Sequence, residues 1–257
     1  MSHRYAGGVD VGSVTTKAVV IDGERNIRGY SVLYSATDFQ GASDKAWSEC
    51  LNRAEIVPED VTSITATGYG RNSVSFATGS VTEISCHGRG CLHFFPGPIT
   101  VIDIGGQDNK IIKLDENGRR VSFKMNRKCA AGTGAFLEEM ALRLRLPLEQ
   151  LNRLAREADG EVTLGSYCTV FSATEVLEKI KQGHPVERIV RGLFHSVVKR
   201  VLEMDTLTDT VVLTGGVIEH NPFLAEIIKE HTRCPIRIPP HPQVTGALGA
   251  ALYALDR

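Results

Sequence analysis

Apolar and polar positions along the chain alternate between a strand period and a helix period. From Gly8 to Asp22 the pattern reads as an apolar strand through Val9 and Val11, a turn centred on Gly12, and a second strand rich in β-branched residues. The same pattern returns from Ile102 to Asp115. Asp10 with Asp103, Gly12 with Gly105, Lys17 with Lys110 and Asp22 with Asp115 all align at one constant offset. A second pair of glycine turns, Thr67-Gly68-Tyr69-Gly70 and Thr214-Gly215-Gly216, follows the β-rich runs at 64–66 and 211–213. Two related halves, each opening with a phosphate-sized turn, predict a duplicated α/β fold with a cleft between two lobes. The lobe boundary is expected at the Phe95-Pro96-Gly97-Pro98 turn, giving an N-terminal lobe at 1–97 and a C-terminal lobe at 98–257.

Helical spacing fills the gaps. Ala42, Ala46, Trp47, Cys50, Leu51 and Ala54 share one face, as do Phe136, Leu137, Met140, Ala141 and Leu144 after Cys129. Ser172-Ala173-Thr174-Glu175 reads as a capping box for a helix ending near Gly183. Pro185 opens a long run through Met204 with Ile189, Leu193, Val197 and Val201 on one face. Asn221-Pro222 is a start signal, and Thr245 is expected to cap a terminal helix at 247–255. Gly88 and Gly90 predict a turn between Cys86 and Cys91.

Composition narrows the class without choosing the chemistry. The 257 residues carry 29 Lys+Arg against 30 Asp+Glu, 42% hydrophobic and 23% charged, which is ordinary globular usage. A net charge of −1 gives no electrostatic reason to expect nucleic acid. No apolar run approaches a membrane span and the N-terminus has no secretory pattern, so a cytoplasmic protein is expected. In a reducing compartment the cysteines at 50, 86, 91, 129, 168 and 234 are not expected to form structural disulfides. No CxxC pair exists, so a metal site has to be assembled from distant parts of the chain or from two chains.

The repeated turns carry the first chemistry. Gly12 and the turn residues Ser13 and Val14 can present backbone N–H groups to phosphate oxygens, with the hydroxyls of Ser13, Thr15 and Thr16 and the charge of Lys17 beside them. Gly105 and Gly106 do the same in the second copy. Asp10 and Asp103 suit a hydrated Mg²⁺, which takes one or two carboxylates and keeps several waters. Asp10, Asp103, Gln107 and Asp108 are the candidates to position a hydrolytic water. For a nucleoside, Gly215 and Gly216 permit close backbone approach, with Asn221, Gln243 and Gly246 as polar or close-approach candidates. No GxxxxGK[ST] run occurs, so this is not a P-loop.

Asp-x-Gly-x-x-Thr-x-Lys, Asp-x-Gly-Gly-x-Asp and the late Thr-Gly-Gly resemble the phosphate-1, phosphate-2 and adenosine motifs of the acetate and sugar kinase, heat-shock ATPase and actin superfamily. The resemblance implies a duplicated, two-lobed, actin-like (ribonuclease H-like) ATPase fold, α/β throughout, with ATP or ADP in the interlobe cleft. A narrower resemblance rests on Lys128-Cys129-Ala130-Ala131-Gly132-Thr133-Gly134 and Cys168-Thr169-Val170-Phe171. These segments look like the cluster-ligand segments of the activator proteins of 2-hydroxyacyl-CoA dehydratases, a family that includes the ATP-binding subunits of benzoyl-CoA reductases. Met125-Asn126, Gln107-Asp108 and Gly215-Gly216-Val217 with Asn221 also look like that family.

That resemblance implies a homodimer with one 4Fe–4S cluster at its interface, Cys129 and Cys168 as ligands, and ATP hydrolysis that drives a low-potential electron onto a partner iron–sulfur protein, a 2-hydroxyacyl-CoA dehydratase, a benzoyl-CoA reductase or a reductase of the double-cubane-cluster type. A ferredoxin or flavodoxin is the implied donor. The residues agree independently: a cubane takes four thiolates, two copies of two make four, and helix N-termini after each cysteine would favour the thiolate. Two other classes remain open on sequence alone, a small-molecule kinase of the same superfamily and a metal-free nucleotide-switched regulatory module. The partner's identity, its substrate, the cluster's potential and any role of Cys86 and Cys91 are not readable from the chain.

Overall fold

A computed structural model describes residues 5–165 and 168–257. Strand β1 (Tyr5–Val11) turns into β2 (Thr15–Ile21), which turns into β3 (Ile27–Tyr34). Helix α1 (Phe39–Ala54) follows, then β4 (Val61–Thr67), the short β5 (Gly79–Ser80) and α2 (Glu83–Phe94). The pattern restarts with β6 (Ile99–Ile104), β7 (Asn109–Leu114) and β8 (Arg120–Asn126). Here the helical insert is longer: α3 (Gly134–Leu144), α4 (Leu151–Glu157), α5 (Thr169–Lys181) and α6 (Val186–Leu202). Then come β9 (Thr210–Thr214), α7 (Gly216–His220), α8 (Phe223–Glu230), β10 (Ile236–Arg237) and α9 (Thr245–Leu255).

The strand orders make the duplication explicit. Among the described residues one sheet runs β3-β2-β1-β4-β5 and the other β10-β9-β6-β7-β8, the same topology read in opposite directions. β1 pairs antiparallel with β2, placing Asp10 opposite Lys17, and parallel with β4. The sequence repeat therefore occupies the first two strands of each sheet. By packing, the chain up to Val101, Ile112–Ser122 and Pro239–Arg257 form one compact unit, and Ile102–Ile111 with Phe123–Ile238 form the other.

In the first unit, α1 buries Ala46, Trp47, Cys50 and Leu51 against Val9, Val11, Ala18 and Val20. Asp38 caps it by accepting from Gly41 N at 2.9 Å. The other face of that sheet is covered by α9, whose Ala247, Leu248, Ala251 and Leu252 meet Ala6, Val19 and Ile21. In the second unit Phe136, Leu137, Met140, Ile189, Leu193, Val197 and Val201 enclose Ile102, Ile104 and Ile111, as their helical spacing requires.

Three expected local features fold differently. The segment from Cys86 to Cys91 is not a turn but the middle of α2. Its Gly90 is there for packing: an added methyl would stand 2.1 Å from Thr245 O, and one on Gly249 of α9 would stand 1.8 Å from Cys86 O. Glycine's cost of about 1 kcal/mol in a helix interior is offset by this close crossing. Ser172 does not cap α5. The helix starts at Thr169 with Cys168 itself in the N-cap position, Ser172 N bonds Cys168 O, and the Glu175 carboxylate accepts instead from Gly165 N at 2.8 Å. Thr245 is the first residue of α9 rather than its cap, and its hydroxyl donates back to Pro242 O at 3.2 Å.

Gly249→Ala should therefore destabilise the protein by about 1–3 kcal/mol through overpacking, despite alanine's better helix propensity. Urea denaturation measures it; an unchanged or raised midpoint would show that α2 and α9 are not this close.

Candidate functional site

The first turn is built by its backbone. Gly12 N donates to Thr15 O at 3.0 Å, closing β1 onto β2. Asp10, 5% exposed, faces Lys17, whose Nζ lies 3.4 Å from Asp10 Oδ2 and donates to Thr15 O at 3.2 Å. Ser13 is exposed, and Gly12, Val14 and Thr15 are half-buried. Thr16 is placed otherwise. Strand alternation turns it away from Asp10 and Lys17; it is fully buried, and its hydroxyl sits 2.9 Å from Ser35 Oγ, which donates to Gly12 O at 2.8 Å. Thr16 therefore shapes the turn from behind.

Asp10 is closely surrounded. A methyl on Gly68, which has φ +89°, would stand 2.4 Å from Asp10 Oδ1. One on Gly246 would stand 3.1 Å from Asp10 Oδ2 and 3.0 Å from His87 Nε2. Gly246, grouped by sequence with the nucleoside candidates, thus belongs to the surroundings of Asp10. His87 is buried, with Nδ1 3.4 Å from Thr245 Oγ1. Its place beside Asp10 was not readable, because the signal is a helix crossing and not a spacing.

The second turn is more strongly charged. Asp103 and Lys110 are both 3% exposed, and Lys110 Nζ donates to Asp103 Oδ2 at 2.9 Å and to Asp108 Oδ1 at 2.7 Å. Gly105 N donates to Asp108 O at 2.9 Å. Gly105 and Gly106 are half-buried and Gln107 is exposed at the tip. The carbonyls of this turn receive the first amides of α3: Gly134 N bonds Gly105 O at 2.9 Å and Ala135 N bonds Gly106 O at 2.7 Å. These are helix-end donors that need partners, and the turn supplies them. Gly215 completes the surroundings of Asp103. With φ +99°, a methyl there would lie 2.7 Å from Asp103 Oδ1 and 2.3 Å from Ile104 O. Gly216 begins α7, and Asn221 closes it, donating from Nδ2 to Val217 O at 3.1 Å. Gln243 lies in a short turn of helix at Pro242–Val244 before α9.

Cys129 and Cys168 are both exposed, whereas Cys50, Cys86 and Cys91 are buried and Cys234 is half-buried. Cys129 stands in the loop entering α3, Cys168 heads α5, and those two helices pack on each other. Among the described residues no group of three or more His, Cys, Asp or Glu side chains converges on a metal position. The pair nevertheless fits an iron–sulfur cluster. Two accessible thiols, one in the loop entering α3 and one heading α5, are half of the four a cubane takes. Directly after Cys168, Val170 and Phe171 are 71% and 67% exposed, an apolar surface of the sort that an interface covers. Cys86 and Cys91 are core residues of α2. Burial pushes the Cys86 thiol up to about 12, with Asp10 adding to it, and burial alone drives Cys50 up to about 12.

No helix among the described residues is long and apolar enough to cross a membrane. A model of the BadF/BadG/BcrA/BcrD ATPase family matches residues 8–254. The chain is 38% identical over 255 residues to the 2-hydroxyisocaproyl-CoA dehydratase activator of Clostridioides difficile, covering 98% of this chain and 95% of that protein. It is 39% identical over 257 residues to the (R)-2-hydroxyglutaryl-CoA dehydratase activating ATPase of Acidaminococcus fermentans, covering 98% of each. The solved structure of the Clostridium difficile activator with bound ADPNP superposes with a TM-score of 0.92 at 37% identity, over 98% of this chain and 94% of that one. A ROK family glucokinase from Streptomyces griseus, 13% identical with a TM-score of 0.61, shares the fold. The fold is thus the actin-like ATPase fold expected from the repeated turns.

The thiol environments predict an order of modification. At about pH 8, iodoacetamide should modify Cys129 and Cys168 of the metal-free protein first, while Cys50 and Cys86, protonated well above that pH, stay unmodified until the chain unfolds. Peptide mass mapping checks this; early modification of Cys50 or Cys86 would contradict their burial.

Proposed function

The chain belongs to the BadF/BadG/BcrA/BcrD ATPase family, and from that premise we propose that it is an ATP-hydrolysing activator that delivers a low-potential electron to a 2-hydroxyacyl-CoA dehydratase. In this reading it works as a homodimer that binds one 4Fe–4S cluster through Cys129 and Cys168 of each copy. A ferredoxin or flavodoxin is the proposed donor. The observation that carries the reading is the pair of exposed thiols, Cys129 in the loop entering α3 and Cys168 heading α5, on two touching helices, with exposed apolar residues after Cys168. The match to dehydratase activators along nearly the whole chain supports the partner class.

The residues divide the work as follows. Asp10 and Asp103 are each proposed, within their own turn, as a carboxylate for hydrated Mg²⁺, an ion that takes one or two carboxylates and keeps several waters. The turn that Gly12 closes, through Ser13, Val14 and Thr15, and the turn that Gly105 closes, through Gly106, are proposed to receive phosphate oxygens, with Lys17 and Lys110 as the cations beside them. Gln107, exposed at its turn's tip, is the proposed orienter of the attacking water, and Asp10 and Asp103 are the proposed catalytic carboxylates of their own turns. Gly215, Gly216, Asn221 and Gln243 are proposed for the nucleoside. When bound, the cluster supplies a one-electron carrier of low potential. ATP acts through its differential affinity for two states of the chain, which is how a nucleotide switches a protein it does not modify.

Anaerobically purified protein should be brown and carry about two iron atoms per chain. Cys129→Ser should lose the iron while binding ATP as the parent does; a colourless, iron-free parent would remove the electron-transfer reading. Adding purified dehydratase should raise ATP turnover, and stimulation by an aromatic-ring reductase instead would reassign the partner. Asp103→Asn should lower ATP turnover by about 100-fold or more, the scale of losing a preorganised charged group. Turnover within a fewfold of the parent would displace Asp103 from the role given to it.

A further inference from the structure

Successive side chains of a strand point to opposite faces, and the start of β7 uses that alternation. Asp108 and Lys110 turn toward Asp103 and make the buried ion cluster of the second turn. Asn109, between them, turns the other way, toward the loop that carries Cys129. It is 1% exposed, and its Nδ2 donates to Gly132 O at 2.8 Å. Its Oδ1 is buried with no hydrogen-bond partner among the described residues. A buried amide with one end unpaired is a poor choice for stability alone, since an apolar residue of the same shape would avoid the unpaired oxygen.

The loop it grips carries its own hydrogen bonds. Asn126 Nδ2 donates to Cys129 O at 3.0 Å, and Thr133 Oγ1 donates to Ala130 O at 2.6 Å. Gly132, at φ +84°, lets the loop approach: a methyl there would lie 3.2 Å from Asn109 Nδ2 and 2.9 Å from Arg200 Cβ. Gly132 follows Cys129 by three positions, and these hydrogen bonds bracket that stretch. The two amides of α3 on Gly105 O and Gly106 O join the same turn to the same helix start.

We propose that Asn109 is a positioning residue that reports the state of the second phosphate turn to Cys129. This rests on the reading of the turn at Gly105 and Gly106, with Asp103 and Lys110, as a nucleotide phosphate site. Phosphate or Mg²⁺ competing for Lys110, Asp103 and Asp108 shifts the start of β7, and Asn109 passes the shift to Gly132 on the opposite face.

The test uses the full-length chain without its cluster and needs no partner. Alkylation rates of Cys129 and Cys168 are compared with ADP and with a non-hydrolysable ATP analogue, both with Mg²⁺. In the parent, Cys129 should react at rates differing by about fivefold or more between the two nucleotides, the lower range of ordinary coupling. In Asn109→Leu and Asn109→Ala that difference should fall below about twofold, while nucleotide affinity and the Cys168 rates stay as in the parent. If the leucine variant does not fold, the alanine variant decides. A Cys129 difference retained in the variants, or lost equally at Cys168, overturns the proposal. A parent that binds nucleotide without any change at Cys129 overturns it alone; a parent that binds no nucleotide overturns the ATPase reading with it.

Discussion

The second half of the molecule is organised around one buried ammonium. Lys110 Nζ sits between Asp103 Oδ2 and Asp108 Oδ1, with the lysine and Asp103 almost wholly removed from water. Breaking such a pair from one side leaves a bare buried charge and costs about 3–5 kcal/mol. Two carboxylates against one ammonium also leave the turn with excess negative charge, which a divalent cation can use. The geometry needs Gly105, because a methyl there would stand 2.7 Å from Asp108 Oδ1. Charge and glycine together set the shape of the turn.

The duplicated turns share this plan but are anchored differently. In the first copy the carbonyl of Gly12 accepts a serine hydroxyl, Ser35 Oγ at 2.8 Å. In the second the equivalent carbonyl of Gly105 accepts Gly134 N, the start of a helix. The first turn is thus tied to the end of its own hairpin, since Ser35 directly follows β3. The second is tied to the segment entered through Cys129. Lys17 is also held less tightly than Lys110, at 3.4 Å from its carboxylate and with more of its side chain in contact with water. The same hairpin plan is thus tied to the end of a strand in one copy and to the start of a helix in the other.

Both hairpins, the long helices and the paired glycine turns were legible, because hydrophobic period and turn chemistry are local. Cys129 and Cys168 stood out through the segments around them, and both are exposed. What escaped was set by contacts distant in sequence. Gly88 and Gly90 carry a turn signal, yet α2 forms because α9 packs so closely that glycine is needed at the crossing. Ser172 matched a capping pattern, but Glu175 found a better partner in Gly165 N and the helix began at Cys168. Gly246 and His87 converge on Asp10 from α9 and α2, which no spacing reveals. Asn109 did have a signal: it sits between two charged residues on a strand, so it has to face away from them.

Helix α5 shows the same economy from the outside. Ser172, Ala173 and Val176 bury one face in the core of the second unit, but Val170, Phe171, Leu177 and Ile180 remain exposed on the others. A helix apolar on more than one face is built for more than one neighbour. The chain supplies the first neighbour itself, through α3 and α6. The unused faces begin one turn from Cys168, so whatever covers them is brought to the thiol as well. A second copy would arrive with its own Cys168 and its own apolar faces, and self-complementary contacts of this kind are what close a two-fold dimer. Burial of the apolar surface and completion of a four-thiolate site would then be a single event, each making the other more favourable.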